Sequence, residues 1–315
     1  MGSFGGARTA PGPTKSSHVP HARLRFGFVT AVVTLAGGHA AAHTLATIDA
    51  GRGDVAVLVP DSYVADQAVP LVVSLHGFGG SGDAYVAYWK RNGQVDKNGF
   101  IVVAPTGQQD SKGRTYWNAT DACCDKDQRG VDDAGYLRGV IEAVEAAYNI
   151  DPQSIHVTGY SNGGFMAYRM ACDHSDKIAS IVSVAGAGFA DQARCAAVQP
   201  VGVLQVHGLQ DPIIRYDGGT LKTYKGTAEI AYPSARSSVA FWAQHNKASM
   251  KPVSGPVHDF SDRATGNDTR TTLYPGGAAS AELWAIAGEG HVPRFSSAFH
   301  EAVVQWMLSR RKASD

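Results

Sequence analysis

The sequence lacks an excess of charge of either sign. Its 315 residues include 28 Lys and Arg side chains and 28 Asp and Glu side chains. Such a balance provides no long-range field that would gather nucleic acid or an anionic membrane surface. We therefore expect no nucleic-acid partner, and we expect a small substrate that is neutral or weakly charged.

Long apolar runs and paired metal-ligand motifs are also lacking. The apolar run near the amino terminus, residues 26–37, is about a dozen residues long, whereas a membrane-spanning helix needs roughly 20. The Cys and His residues do not show the paired spacing that is typical of a zinc site. We predict neither a stable membrane anchor nor a bound metal.

The first 42 residues differ in composition from the rest. They begin with a Gly-, Pro- and Ser-rich stretch without apolar periodicity, which indicates disorder. Arg23 and Arg25 then precede the apolar run, and a group of alanines ends at Ala42. Basic, apolar and small residues in this order are typical of a secretory signal. We predict a leader and signal peptide over residues 1–42, and a protein secreted to an extracellular or periplasmic space.

Residues 43–315 are predicted to form a single catalytic domain, because no internal repeat and no second apolar block after a linker follows. Strand-like and helix-like patterns alternate along them, as in a mostly parallel sheet with helices on both faces. Strands are predicted at residues 55–59, 69–75, 100–104, 154–158, 178–184, 201–206 and 283–286, and helices at 132–148, 234–245 and about 297–310. The pattern predicts an α/β-hydrolase fold with about eight strands.

Only four cysteines are present, and four allow three complete pairings. In an exported chain we expect them to be oxidised. Cys172 is predicted to end a helix and Cys195 to follow the next strand, so this pairing is favoured. Cys123 and Cys124 then form either a bridge between neighbours or two thiols.

The segment Gly159-Tyr160-Ser161-Asn162-Gly163 matches the pattern G-x-S-x-G between a predicted strand and a predicted helix. In this context the pattern places a serine on a sharp turn that exposes its hydroxyl above the sheet. An ordinary glycine-rich turn is the alternative. We predict that Ser161 is a nucleophile.

A serine nucleophile needs a base and an acid that orients the base, in the chain order Ser, Asp, His for this fold. Asp211 follows the strand at 201–206, and Asp217 is the fallback; a turn or cap aspartate is the alternative reading. Among twelve histidines, His291 follows the last strand in a glycine-containing loop and is the preferred base.

An oxyanion hole requires two backbone N–H groups near the serine. Asn162, which follows the nucleophile, is one predicted donor. Phe78, in the loop His76-Gly77-Phe78-Gly79-Gly80 after a buried strand, is the other. A phosphate-binding loop is excluded because no Lys-Ser or Lys-Thr pair ends this run.

The chain resembles the polyhydroxybutyrate depolymerase and feruloyl/acetylxylan esterase family of α/β-hydrolases. The resemblance rests on LHGFGGSG (75–82), YWNATDACC (116–124), VDDAGYL (131–137), GYSNGGFMAYRMAC (159–172) and HGLQDPIIRYDGG (207–219). It implies the same triad of Ser161, Asp211 and His291, and a substrate-binding position for Trp117; a structural aromatic beside the cysteines is the alternative for Trp117. Tyr160 is also predicted to contact the substrate. The family often carries Trp-Pro shortly after the histidine, whereas this chain has Val-Pro, so its pocket wall differs there.

These observations predict a secreted serine carboxylic-ester hydrolase that acts on feruloyl, acetyl or 3-hydroxybutyrate oligomer esters without a cofactor. Soluble or carbohydrate-linked esters are expected to be better substrates than solid polyester. The alternatives are an extracellular polyhydroxybutyrate depolymerase, an amidase or peptidase with the same triad, and a non-catalytic binding protein on a hydrolase scaffold. The sequence does not specify the acyl group, the alcohol or the oligomeric state.

Overall fold

A computed structural model of the chain describes residue 2 and residues 44–223, 229–264 and 266–312. Apart from residue 2, the predicted leader and signal peptide lies outside the described residues. The boundary between that leader and the catalytic domain therefore stays a prediction.

Strands and helices alternate along most of the described chain. The strands are β1 (Thr44–Asp49), β2 (Asp54–Val59), β3 (Val69–Leu75), β4 (Ile101–Ala104), β5 (Gln108–Gln109), β6 (Thr115–Tyr116), β7 (Ile150–Tyr160), β8 (Ser180–Val184), β9 (Gly202–Gly208), β10 (Gly219–Lys222), β11 (Glu229–Tyr232), β12 (Val253–His258), β13 (Thr269–Tyr274) and β14 (Ala281–Ile286). The helices are α1 (Gly82–Asn92), α2 (Gln94–Asn98), α3 (Asp133–Ala147), α4 (Asn162–Asp173), α5 (Ala235–His245) and α6 (Ser297–Leu308).

Ten strands form the central sheet in the order β1-β2-β4-β3-β7-β8-β9-β14-β13-β12. The inner run from β4 to β14 is parallel, and the strands at both edges pair antiparallel. The predicted α/β-hydrolase fold is confirmed. The sheet has more strands than the predicted eight because three of them lack an apolar run: β1 and β12 are mostly exposed, and β13 is mostly polar.

Each face of the sheet packs against helices. In β3, Leu71 and Val73 belong to the core that includes Leu137 of α3, whereas Val72 belongs to the core that includes Phe299 of α6. A strand that is buried on both faces needs apolar residues at every position, since successive side chains point to opposite faces. This requirement explains why β3 is a nearly unbroken apolar run, with Ser74 as the exception.

The favoured Cys172–Cys195 disulfide is present, and Cys123 is bonded to Cys124, which is one of the two alternatives left open for that pair. The first bond ties the end of α4 to the segment after β8. Among the described residues, no helix has the length and apolar character needed to cross a membrane.

Candidate active site

Three loops meet at one edge of the sheet. β7 leads into Ser161, β9 leads into the loop of Asp211, and β14 leads into the loop of His291. Because these strands lie in the parallel part of the sheet, their carboxyl ends share one edge, where ligand sites of open α/β sheets form. Residues far apart in the sequence therefore become neighbours.

The turn at Ser161 has an unusual backbone. Its φ of 53° and ψ of −117° place a non-glycine residue at positive φ, a region that is costly for an L side chain. The Ser161 N–H donates to Val184 O at 2.7 Å, which fixes the turn to β8. A Cβ at Gly159 would collide with the Gly163 carbonyl, and one at Gly163 with the Leu75 carbonyl. Glycine is therefore required on both sides of the serine.

Ser161, His291 and Asp211 form a continuous hydrogen-bonded line. His291 Nε2 lies 2.9 Å from Ser161 Oγ, and His291 Nδ1 lies 2.7 Å from Asp211 Oδ2. The other oxygen of Asp211 accepts from the N–H groups of Ile213 at 2.8 Å and Ile214 at 2.9 Å. The fallback acid, Asp217, makes no hydrogen bond to His291 within the described chain.

Asp211 is held as a carboxylate although its side chain is buried. Burial alone would raise its pKa, but the nearby His207 ring, at 3.4 Å, and hydrogen bonds from His291 and the Ile213 N–H together hold the pKa of Asp211 well below its ordinary value. An ionised Asp211 accepts the Nδ1 proton of His291 and leaves Nε2 free to accept from the Ser161 hydroxyl.

The two predicted oxyanion donors lie on separate elements. Asn162 is the first residue of α4, so its N–H has no acceptor within the helix. The Phe78 N–H donates to no atom of the described residues. The loop around Phe78 is fixed by the N–H of Gly79, which donates to Thr115 O at 2.8 Å, and by the Gly80 N–H, which donates to Gly77 O at 2.9 Å.

The structure does not bring Trp117 to the open side of the site. Its side chain is fully buried, and its indole N–H donates to His76 O at 3.1 Å. The Asn162 side chain clamps the Trp117 backbone: its Oδ1 accepts from the Trp117 N–H at 2.8 Å, and its Nδ2 donates to the Trp117 carbonyl at 2.9 Å. These contacts are those of a residue that supports the serine turn from within the core.

Two buried histidines with supporting contacts were not predicted from the sequence. His76 Nδ1 donates to Gly77 O at 2.7 Å and its Nε2 accepts from the Gly107 N–H at 2.8 Å, so it braces the Phe78 loop. Burial lowers the pKa of His76, which favours the neutral ring that these contacts require. His207 lies 3.4 Å from Asp211. The available signal was a His-Gly pair at the end of a buried strand, which occurs at both places.

An apolar cavity of about 270 Å³ lies beside the triad, between α1, α6 and the His291 loop. Its aromatic walls include Tyr85, Tyr88 and Phe295, and Val292 of the predicted divergent wall also lines it. Tyr160 borders the same cavity, and its ring centroid lies 5.3 Å from that of His291. The position of Tyr160 therefore fits the predicted substrate contact.

Metal ligands are not grouped at this edge. Within residues 44–223, 229–264 and 266–312, no cluster of three or more His, Cys, Asp or Glu side chains could hold a metal ion.

Comparison with known proteins places the chain in a family. Residues 62–228 match the model of the phospholipase/carboxylesterase family. The chain belongs to this family of α/β-hydrolases. The predicted resemblance to ester-hydrolysing α/β-hydrolases of the feruloyl and acetylxylan esterase type is thereby confirmed at the level of the family.

The individual relatives of this chain include feruloyl esterases. It is 27% identical to feruloyl esterase B of Piromyces equi over 75% of this chain and 42% of that protein. It is 30% identical to a probable feruloyl esterase C of Aspergillus terreus over 64% of this chain and 73% of that protein. The chain thus spans less than half of the Piromyces protein.

The fold is similar to solved esterase structures. An acetyl xylan esterase from Aspergillus awamori superposes with a TM-score of 0.57 at 15% identity, covering 84% of this chain and 98% of that one. A thermostable esterase gives a TM-score of 0.56 at 16% identity, over 86% of this chain and 63% of that one. At such low identity the likeness concerns the fold alone.

Proposed function

We propose that the protein is a serine carboxylic-ester hydrolase that works through Ser161, His291 and Asp211. The observation that carries the proposal is the line of hydrogen bonds from Ser161 Oγ through His291 to Asp211, at 2.9 and 2.7 Å, with the serine on a strained turn. Membership of the phospholipase/carboxylesterase family supports the same reaction class.

In the acylation half-reaction, His291 Nε2 takes the proton of Ser161 as Oγ attacks the ester carbonyl carbon. The carbonyl oxygen becomes an oxyanion that the N–H groups of Phe78 and Asn162 stabilise. When the tetrahedral intermediate collapses, the carbon–oxygen bond to the alcohol breaks, and His291 gives its proton to the departing alkoxide. Water, deprotonated by His291, then hydrolyses the acyl-enzyme and restores the serine.

The surroundings of the triad favour an ester with an apolar acyl group and a polar alcohol. The aromatic-walled cavity beside Tyr160 can accept an aryl or short aliphatic acyl group. A second, open cleft is lined by Gln210, Asp211, Arg215 and Asp217, whose polar groups suit a hydroxyl-rich alcohol such as a sugar. We therefore propose feruloyl- or acetyl-type esters, or 3-hydroxybutyrate oligomers, as substrates.

Export from the cell is part of the proposal. Disulfides persist in oxidising compartments and are rare in the cytosol. The two bridges, Cys123–Cys124 and Cys172–Cys195, support a secreted or periplasmic enzyme, as does the composition of residues 1–42.

Polyester depolymerisation is the second candidate, and one observation favours it. Leu209, Ile213 and Val292 are 43%, 57% and 65% exposed, and each lies within two residues of Asp211 or His291. Exposed apolar side chains at the mouth of a site offer contact area to a water-insoluble apolar polymer.

Covalent labelling and a substrate panel test the proposal. A fluorophosphonate should label the wild-type protein, and Ser161→Ala should abolish both labelling and hydrolysis of methyl ferulate, acetylated xylan and 3-hydroxybutyrate oligomers. Ser183→Ala is the matched control, because Ser183 is a fully buried serine on the adjacent strand whose hydroxyl makes no hydrogen bond within the described chain. Full activity of Ser161→Ala would refute the mechanism.

The panel also separates the candidates. Faster cleavage of an amide than of its matched ester would favour an amidase. Rapid clearing of a polyhydroxybutyrate suspension, with no activity on methyl ferulate or acetylated xylan, would favour the depolymerase.

A further inference from the structure

A chain of buried hydrogen bonds continues behind the triad acid. The Tyr168 hydroxyl donates to Gln205 Oε1 at 3.0 Å, and Gln205 Nε2 donates to Gly186 O and lies 3.0 Å from His207 Nδ1. His207 Nε2 lies 2.7 Å from Ile214 O. Tyr168, Gln205 and His207 are all buried, so water does not compete for these contacts.

The carbonyl acceptors in this line of hydrogen bonds determine which atoms of Gln205 and His207 carry the protons. The Gly186 carbonyl can only accept, so the atom of Gln205 that faces it is the amide nitrogen. The second hydrogen of that nitrogen points at His207 Nδ1, which must therefore carry a lone pair. The single proton of the imidazole is then on Nε2, and the carbonyl of Ile214 opposite Nε2 accepts it. The contacts at both ring nitrogens agree on one neutral tautomer.

This proton joins the two ends of the acid loop. Asp211 Oδ1 accepts from the N–H groups of Ile213 and Ile214, which closes the loop on itself. His207 Nε2 faces the Ile214 carbonyl at 2.7 Å and Asp211 Oδ2 at 3.4 Å, and Oδ2 is the oxygen that His291 contacts. The His207 imidazole thus holds the Asp211 loop through Ile214, and it also lies near the Asp211 oxygen that His291 contacts.

We propose that His207 is a positioning residue for the triad, which acts through Asp211 as an Nε2–H donor whose tautomer is fixed by Gln205. The inference rests on the proposed serine esterase function. Because His207 Nδ1 faces the amide hydrogen of Gln205 at 3.0 Å, the Nε2–H tautomer of His207 is fixed, whereas His291 takes up and releases a proton in the proposed mechanism. The two histidines near Asp211 Oδ2 therefore have different roles: His207 positions the carboxylate, and His291 transfers the proton.

Two amide substitutions separate positioning from packing. The amide nitrogen of Gln reaches the place of Nε2, whereas that of Asn reaches only the place of Nδ1. His207→Gln should therefore keep most of the kcat, and His207→Asn should lower kcat about 10- to 100-fold, which is the size of the effect when a metal-binding side chain loses its outer hydrogen-bond partner. KM should change less than about twofold, because His207 does not contact substrate.

The matched controls are His156→Gln and His156→Asn. His156 is another fully buried histidine within a strand, bonded to Ser154 at 3.0 Å and Ser180 at 2.8 Å, and it has no contact with the triad. Both control variants should retain the wild-type kcat when rates are normalised to folded protein. Equal kcat for the two His207 variants, or an equal loss in the His156 variants, would overturn the proposal.

A measurement on the unsubstituted protein does not depend on the folding of any variant. Side-chain ¹⁵N NMR should show His207 as a neutral Nε2–H imidazole with slow proton exchange over the pH range of activity. An Nδ1–H tautomer, or protonation of His207 in step with the acid limb of activity, would overturn the inference. If Ser161→Ala is inactive and only these His207 results fail, the proposed esterase function still stands.

Discussion

Replacing Asp211 by Asn tests the orientation of the catalytic imidazole. The carboxylate accepts at both oxygens: Oδ1 from Ile213 and Ile214 N–H, and Oδ2 from His291. An amide has one accepting end, so Asn must turn its NH₂ either toward the two loop N–H groups or toward His291. The first orientation loses two hydrogen bonds, so the second is favoured.

In the favoured orientation the Asn amide donates to His291 Nδ1. The imidazole proton then moves to Nε2, where it faces Ser161 Oγ at 2.9 Å and cannot accept the serine proton. The expected loss in kcat is about 10⁴-fold, the size of the effect of the same change in a serine protease triad. At about 1.36 kcal/mol per decade this corresponds to roughly 5.5 kcal/mol of transition-state stabilisation.

Initial rates on a soluble aryl ester, measured with the folded fraction from circular dichroism, give the comparison. Asp217→Asn is the control, because it removes the neighbouring loop carboxylate that does not contact His291. A kcat of Asp211→Asn within tenfold of the wild type, or a large loss in Asp217→Asn, would refute the assignment of the acid.

Three further predictions concern the triad and the fold. Ser161→Ala and His291→Ala should each remove most of the turnover, and the double variant should be hardly slower than either, because the residues act as one unit; additive losses in kcat would contradict this. Reduction of Cys172–Cys195, which closes a sequence separation of 23 residues, should lower the free energy of unfolding by about 3 kcal/mol in urea titrations; an unchanged midpoint with reductant would argue against it. Because the pKa of Asp211 is lower in the folded protein than in the unfolded chain, its contribution to stability is complete above the unfolded value of about 4 and is lost as the pH falls through the folded value. Asp211→Asn should therefore lose less stability than the wild type between pH 5 and strongly acidic pH, and parallel curves would contradict the shift.

The parts of the fold that sequence predicts best are those with local signals. Strand β3 is apolar at nearly every position, and the serine turn carries the pattern G-x-S-x-G, so the sequence alone reveals both. The structure explains the glycines, because a Cβ at either one would collide with a backbone carbonyl. Strand β13 is absent from the prediction because TRTTLY is mostly polar and becomes a strand by pairing between β12 and β14. Edge pairing of this kind depends on neighbours and not on the segment itself.

The site shows the same division between local and distant determinants. Ser161, Asp211 and His291 each follow a recognisable strand, so their meeting was predictable from chain order. The burial of Trp117 was not, because an aromatic residue looks the same in the sequence whether it lines a pocket or fills the core. Its place depends on the amide of Asn162, 45 residues further along the chain.

The contacts of Asn162 limit which loops of this protein can be replaced independently. Its backbone N–H is a proposed oxyanion donor, while its side chain is hydrogen-bonded to the Trp117 backbone and also lies 3.5 Å from Cys123 Sγ. A single residue therefore connects the reactive turn to the cysteine-containing loop, and the two cannot be exchanged separately between homologous scaffolds. Loop grafting aimed at new substrates should transfer the 117–124 segment together with Asn162.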